Sequence, residues 1–144
     1  IAAEIGTMRV TEQIDALETL STSPIKYIIF PRLLAATISM PILAAVGNII
    51  GILGGFLVST RRLDFNPDSY LINTIEFLEM GDITSGLLKA SIFGFIIALM
   101  GCYNGFNCTK GAEGVGKATT NAVVSSSILI LASNYLLTEL LFKS

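Results

Sequence analysis

One segment of the sequence has the spacing of a phosphate-binding loop. Gly111, Gly116 and Lys117 fit the pattern G-x-x-x-x-G-K, in which backbone N–H groups and a lysine hold the phosphates of a nucleotide. The Ser or Thr that should follow the lysine and bind Mg²⁺ is replaced by alanine, and Glu113 places a negative charge beside the phosphates. We therefore expect no nucleotide site and interpret residues 111–120 as a tight, positively charged turn.

Other catalytic and metal-binding chemistries lack their usual residues. The chain has no His and no Trp, which excludes a Ser-His-Asp triad and imidazole metal ligands within this sequence. Cys102 and Cys108 are six residues apart, a spacing that matches no CxxC motif and favours packing thiols. A net charge of -2 and a pI near 5.0 give no basic footprint for nucleic acid. We expect no catalytic residue, cofactor or metal here.

The charged residues are excluded from three long stretches of the chain. Only 14% of the residues are charged, against roughly 25% in soluble proteins, and the mean hydropathy is +0.71. Residues 33–60, 90–109 and 118–138 contain no charged side chain. Each stretch reaches the roughly 20 residues that cross a bilayer core of about 30 Å as a helix. The sequence therefore predicts an all-α integral membrane protein with three transmembrane helices.

The polar segments between these stretches predict the rest of the layout. Residues 61–89 form a polar connection with a helix-start signal at 66–68 and a break at 81–82, so we expect one or two short interfacial helices there. Three spans place residues 2–20 and 111–120 on one side of the membrane and the connection on the other. Lys and Arg are divided almost evenly between the sides, which gives weak support for calling the connection extracytoplasmic.

Residues 2–20 predict one amphipathic helix that lies beside the membrane. Its apolar face, with residues at helical spacing, comprises Ala3, Val10, Ile14 and Leu17. Its charged residues are Glu4, Arg9, Glu12, Asp15 and Glu18. Arg9 and Glu12 stand three residues apart and can pair, although an exposed pair contributes only a few tenths of a kcal/mol. From composition alone, a solvated surface helix without a partner is equally consistent.

Small residues recur at four-residue intervals in two of the spans. The first span carries the glycine ridge Gly47, Gly51 and Gly55, and the last span carries Ala118, Ala122 and Ser126. Such rows let another helix backbone approach closely, either inside one subunit or between subunits. Asn104, near the end of the second span, is interpreted as a hydrogen-bonding contact between helices rather than a substrate contact.

Two stretches of the sequence resemble the MlaE (YrbE) family of ABC transporter permeases. They are AAEIGTMRVTEQIDALETLSTSPIKYIIFPRLLA (residues 2–35) and GAEGVGKATTNAVVSSSILILASNYLLT (residues 111–138). The family works with MCE-domain lipid-binding proteins to move phospholipid between bacterial membranes, and it has relatives in plastid envelopes. The likeness covers essentially the whole chain. It implies one permease domain over residues 1–144, the C-terminal portion of a longer subunit in the bacterial inner membrane or, alternatively, the plastid inner envelope.

The resemblance implies roles for several of these residues. Residues 2–20 become a cytoplasmic coupling helix that docks on an ABC ATPase subunit through its five charged residues, with ATP hydrolysed by that partner. Two permeases form a symmetric dimer around a lipid cavity, with the glycine ridge and the small residues of the last span near the axis. The turn containing Glu113, Gly116 and Lys117 lies in the cytoplasm. The alternative function is a membrane scaffold that anchors partner proteins without transport. An intramembrane enzyme is disfavoured, since the spans lack ionisable side chains.

Overall fold

All the regular structure in the described part of the chain is helical. The computed structural model describes residues 1–63 and 66–142. Its elements are α1 (Ala2–Val10), α2 (Gln13–Thr19), a π-helical turn (Ile25–Ile29), α3 (Phe30–Arg62), α4 (Pro67–Phe77), α5 (Met80–Phe106) and α6 (Ala112–Phe142). The all-α prediction is confirmed.

Three helical segments are long and apolar enough to cross a membrane: Ile25–Arg62, Met80–Phe106 and Ala112–Leu141. The prediction of three spans is confirmed, although the predicted end of the second span at Thr109 is wrong because α5 ends at Phe106. The first segment has 38 residues and reaches about 57 Å at about 1.5 Å per residue. It therefore projects beyond a hydrocarbon core of about 30 Å. In the bundle α5 is central and packs against both α3 and α6.

The connection after the first span is shorter than predicted. The helix-start signal is confirmed, because α4 begins at Pro67 and the Asn66 side chain accepts a hydrogen bond from the Asp68 backbone N–H (3.2 Å). The predicted break at residues 81–82 is wrong, since both residues lie inside α5. The connecting residues 64–65 lie outside the described part of the chain. Helix α4 folds back on α3, where the rings of Phe56 and Tyr70 are 5.7 Å apart.

The predicted single helix over residues 2–20 is wrong, because the chain breaks at Glu12 into α1 and α2. Glu12 adopts a left-handed backbone conformation (φ 60°), and its N–H donates to the carbonyl of Arg9 (3.2 Å). A left-handed residue just past the last helical turn is a common way for a helix to end. The hydroxyls of Thr7 and Thr11 also donate to carbonyls one turn earlier, at 2.8 and 2.9 Å. We call α1 and α2 together the coupling segment, after the role that the family resemblance implies for residues 2–20.

The buried core lies at the end of the bundle that carries the coupling segment, which we call the inner end. The cluster consists of Ile5 of α1, Ile14 of α2, Ile28 of the π-helical turn and Cys102 of α5. The predicted apolar face is confirmed at Ile14, but Ala3 is exposed, because the break at Glu12 and the seat on α5 turn Ala2 and Ile5 inward instead. One core thus ties the coupling segment to the membrane helices.

Candidate functional site

The first helix of the coupling segment rests directly on the backbone of α5. A Cβ atom added at Gly105 would lie 2.7 Å from the carbonyl oxygen of Ala2 and 3.0 Å from the Cβ of Ile5. At Gly101, one turn earlier, the same atom would lie 3.3 Å from the side chain of Ile1. Glycine therefore permits an approach of α1 to α5 that no larger residue at position 105 allows without a shift.

The same helix also contacts the start of α6. The Cys108 thiol donates a hydrogen bond to the carbonyl of Gly6 (3.4 Å), and a Cβ on Gly6 would meet a side-chain methyl group of Val115 at 3.4 Å. Helix α1 consequently lies in the fork between the end of α5 and the beginning of α6. The prediction that residues 2–20 and the start of the last span share one side of the membrane agrees with these contacts.

The charged residues of the coupling segment form ion pairs within the chain. Glu4 binds Arg32 at the start of α3 (2.6 Å), Arg9 binds Asp15, and Glu12 lies 3.9 Å from Lys110 in the α5–α6 turn. The predicted pair between Arg9 and Glu12 is wrong, because the break at Glu12 brings Asp15 to Arg9 instead. Glu18 is exposed and forms no ion pair with any described residue.

Arg9 connects the two helices of the coupling segment and also contacts α5. Its guanidinium joins α1 to α2 through Asp15 and lies 5.6 Å from the ring centroid of Phe106 in α5, within the range of a cation–π contact. The charges that remain most accessible on this segment are its carboxylates. Their side chains remain accessible, at 64% for Glu4, 71% for Glu12 and 53% for Asp15. Because Arg32 holds Glu4, we call Glu12, Asp15 and Glu18 the acidic surface.

The predicted turn over residues 111–120 is confined to its first part. Gly111 has φ 98° and permits the sharp reversal, and α6 begins at Ala112. Glu113, Gly116 and Lys117 accordingly lie in the first two turns of α6, where Lys117 binds Glu113 at 2.8 Å. The predicted longer turn is wrong, because the start of α6 is fixed by Gly111 rather than by the later glycines. Lys117 remains largely exposed.

The three glycines of the ridge on α3 differ in whether another helix packs against them. A Cβ on Gly55 would lie 2.6 Å from the Tyr70 hydroxyl of α4, so this residue packs within the chain. Gly47 and Gly51 have nothing within 4 Å and border an open groove of about 640 Å³ between α3, the end of α4 and the start of α5. The groove is apolar apart from a few residues that include Asn48 and Asp82.

The small and polar residues of the last two spans serve packing within the chain. Ala118, Ala122 and Ser126 are buried on α6, which packs against α5 and α1, so they are not open for contact with a second subunit. Asn104 of α5 donates to Ser125 of α6 at 3.4 Å and to the carbonyl of Met100 at 2.9 Å. The interpretation of Asn104 as an interhelical contact agrees with this geometry.

Comparisons with known protein sequences cover nearly the whole chain. Residues 1–140 match the sequence profile of the family described as Permease MlaE. The chain is 63% identical over 143 residues to a probable ABC transporter permease protein of Rickettsia felis, covering 99% of the chain and 55% of that protein. It is 34% identical over 145 residues to the intermembrane phospholipid transport system permease protein MlaE of Haemophilus influenzae, at coverages of 99% and 55%.

A plant protein is also similar to this chain. Identity to the chloroplastic protein TRIGALACTOSYLDIACYLGLYCEROL 1 of Arabidopsis thaliana is 35% over 142 residues, which cover 99% of the chain and 41% of that protein. The chain thus spans about half the length of the bacterial relatives and less of the plant one.

Fold and site together define a helical multi-pass membrane protein with a charged segment packed across the inner end of its spans. The chain belongs to the MlaE permease family. Its three apolar helices and its bacterial relatives identify a multi-pass protein of the bacterial inner membrane.

Proposed function

We propose that this chain is the coupling portion of an ABC transporter permease that moves phospholipid between membranes. The observation that carries the proposal is the packing of the coupling segment. Helix α1 packs against both α5 and α6, and Glu4 forms an ion pair with Arg32 of α3. A force applied to this segment reaches all three spans. The Haemophilus relative, named for intermembrane phospholipid transport, supplies the substrate class.

ATP is hydrolysed by a partner subunit that docks on the acidic surface in the cytoplasm. Closure of that ATPase and binding of lipid bias the same set of helix packings, which is a shift of populations rather than chemistry within the permease. Exposed carboxylates suit such an interface because rim charges steer association and fix register more than they add affinity. Glu18 is the most informative member of the surface, since it has no ion pair to lose within the described chain.

The end of the bundle that carries α4, which we call the outer end, faces the remaining partners. An MCE-domain lipid-binding protein receives or delivers phospholipid there, and a second copy of the permease packs along the open part of the glycine ridge. Gly47 and Gly51 support this arrangement because the described chain places no atom within 4 Å of their Cβ positions. The apolar groove beside them has room for hydrocarbon chains, and Asn48 supplies polarity at its wall.

The proposal is tested by Glu18→Lys in the full-length permease, co-expressed with its ATPase. We expect normal membrane insertion, at least about a tenfold weaker association with the ATPase and a matching loss of lipid transfer, because charge reversal at an interface is repulsive. The matched control for ATPase association is Glu76→Lys, an exposed acid of α4 at the outer end.

Unchanged ATPase association and lipid transfer in Glu18→Lys would contradict the assigned docking surface. A permease that retains its ATPase but moves no lipid in any reconstitution, even without a substitution, would favour the scaffold alternative.

A further inference from the structure

Arg32 lies at the start of α3 and reaches back to the coupling segment. Its Nη2 donates to Oε1 of Glu4 at 2.6 Å, and its side chain is 23% exposed, whereas that of Glu4 is 64% exposed. The Arg32 side chain is thus mostly buried at the inner end of the bundle, and the Glu4 carboxylate lies at the protein surface. This ion pair joins α1 to α3.

The attachment of α1 to α3 differs from its attachment to the other two spans. Helix α1 packs extensively on α5 and α6, but within the described ranges its helix-to-helix contact with α3 is at most sparse. The covalent path from α2 to α3 runs through Ser21, which has φ 57°, and the π-helical turn. Short π-helical turns are rare and occur frequently at functional sites. This turn contributes Ile28 to the shared core, and the ion pair of Arg32 adds a direct polar connection from α1 to the start of α3.

The ion pair is poorly arranged for stability. Nη1 of Arg32 is buried and has no hydrogen-bond partner among the described residues. A buried donor without an acceptor is costly, and an ion pair with one largely exposed partner adds little stability. Directional contact is the property that an arginine fork supplies and an apolar residue does not. The geometry thus favours a role in positioning over a role in stability.

We propose that Arg32 is a positioning residue that makes α3 follow the coupling segment during the ATP cycle. The proposal rests on the proposed coupling function and deepens it. Helices α5 and α6 follow α1 through close packing at Gly105, Gly101 and Val115, whereas α3 follows through the Arg32–Glu4 ion pair. Because α3 carries the open glycine ridge and one wall of the groove, its movement changes the width of that groove.

The test uses Arg32→Gln and Glu4→Gln in the full-length permease, assembled with its ATPase and reconstituted in phospholipid vesicles. We expect ATP hydrolysis within about twofold of the unsubstituted complex, and roughly tenfold less lipid transferred per ATP, in the range of mutational effects on coupling. The exchange Glu4→Arg with Arg32→Glu should restore most of that ratio, and Arg32→Lys should restore part of it. Lys26→Gln is the matched control, because Lys26 is exposed and forms no ion pair with any described residue.

A second readout does not depend on the transported substrate. Spin labels on α1 and on the outer half of α3 report their separation with and without ATP. We expect an ATP-dependent change in the unsubstituted complex that is lost in Arg32→Gln and regained in the charge exchange.

Two outcomes would overturn the inference. One is an unaltered lipid-to-ATP ratio and spin-label change in both neutral variants. The other is a parallel loss of hydrolysis, assembly and transfer that the charge exchange does not repair, which indicates a structural role only. If the unsubstituted complex moves no phospholipid, the proposed function fails, and the spin-label distances still decide the role of Arg32.

Discussion

The inner end of the bundle and the outer half of α3 differ in how far the chain buries their apolar residues. At the inner end, Ile5 and Ile14 are fully buried, Gly105 touches the backbone of α1, and ion pairs connect neighbouring elements. Along α3, no residue of the most apolar stretch is buried within the described structure. Gly47 and Gly51 there face open space. The chain forms a buried core at one end and leaves apolar helix surface exposed along the outer half of α3.

In the proposed function, this difference separates the part of the chain that transmits force from the part that contacts substrate. A segment that transmits force must be rigidly attached, and close glycine contacts with a shared core provide that attachment. A surface that meets lipid or another subunit must remain free within the chain, and an exposed apolar helix in a bilayer pays no hydrophobic penalty for being free. The outer end is still anchored locally, by the contact of Phe56 with Tyr70 and by the hydrogen bond from Lys89 to Thr138 (2.9 Å).

The largest expected effect is from Ile14→Ala, which removes the one buried side chain of α2. Truncation of a fully buried isoleucine costs about 2–5 kcal/mol, through lost burial and the cavity left behind. We expect a lower unfolding midpoint in detergent and faster proteolysis within α2. The control Ile75→Ala alters a side chain that is 76% exposed and should change the free energy of unfolding by less than about 0.5 kcal/mol. Equal effects of the two substitutions would remove the contrast between the regions.

A smaller effect is expected from Gly105→Ala, because the added methyl group meets the carbonyl oxygen of Ala2. Overpacking of this kind costs about 1–3 kcal/mol and displaces α1 from α5. The unfolding midpoint and ATPase association should fall together. Gly86→Ala is the matched control on the same helix, where the new atom has nothing within 4 Å. A stable Gly105→Ala variant with normal ATPase binding would show that α1 does not need this seat.

The smallest effect on the protomer is expected from Gly51→Leu. The side chain enters open space, so the free energy of unfolding of the protomer should change by less than about 0.5 kcal/mol. Its effect appears in assembly, where cross-linking in the membrane should show loss of the permease dimer. Gly94→Leu is the contrasting variant, because Gly94 lies against the carbonyl of Ala36 and should destabilise the protomer itself. An intact dimer with normal transfer in Gly51→Leu would exclude the open ridge from the interface.

The sequence was sufficient to predict the three spans and the placement of residues 2–20 beside the start of the last span. Exclusion of charge from long stretches reflects the cost of burying an ion in hydrocarbon, which is a property of composition. The helix start at Asn66 was equally predictable, because it depends on a local hydrogen bond and a proline.

Features set by single backbone conformations or by distant contacts were not predictable. The break at Glu12 depends on a left-handed residue that is not glycine, and helical periodicity contains no signal for it. The pairing of Arg32 with Glu4 joins residues 28 apart and follows from the seat of α1 on α5. The inward position of Ile5 could have been recognised from its spacing of nine residues to Ile14 only if the break had been known.

Hydrogen exchange of the full-length permease in nanodiscs, with and without its ATPase, tests the central assignment most directly. We expect ATPase binding to slow exchange in residues 2–20 and 107–117, which meet at the inner end, and to leave α4 unchanged. Slower exchange in α4, or no change in residues 2–20 when the ATPase is bound, would contradict the assignment of the coupling segment as its docking surface.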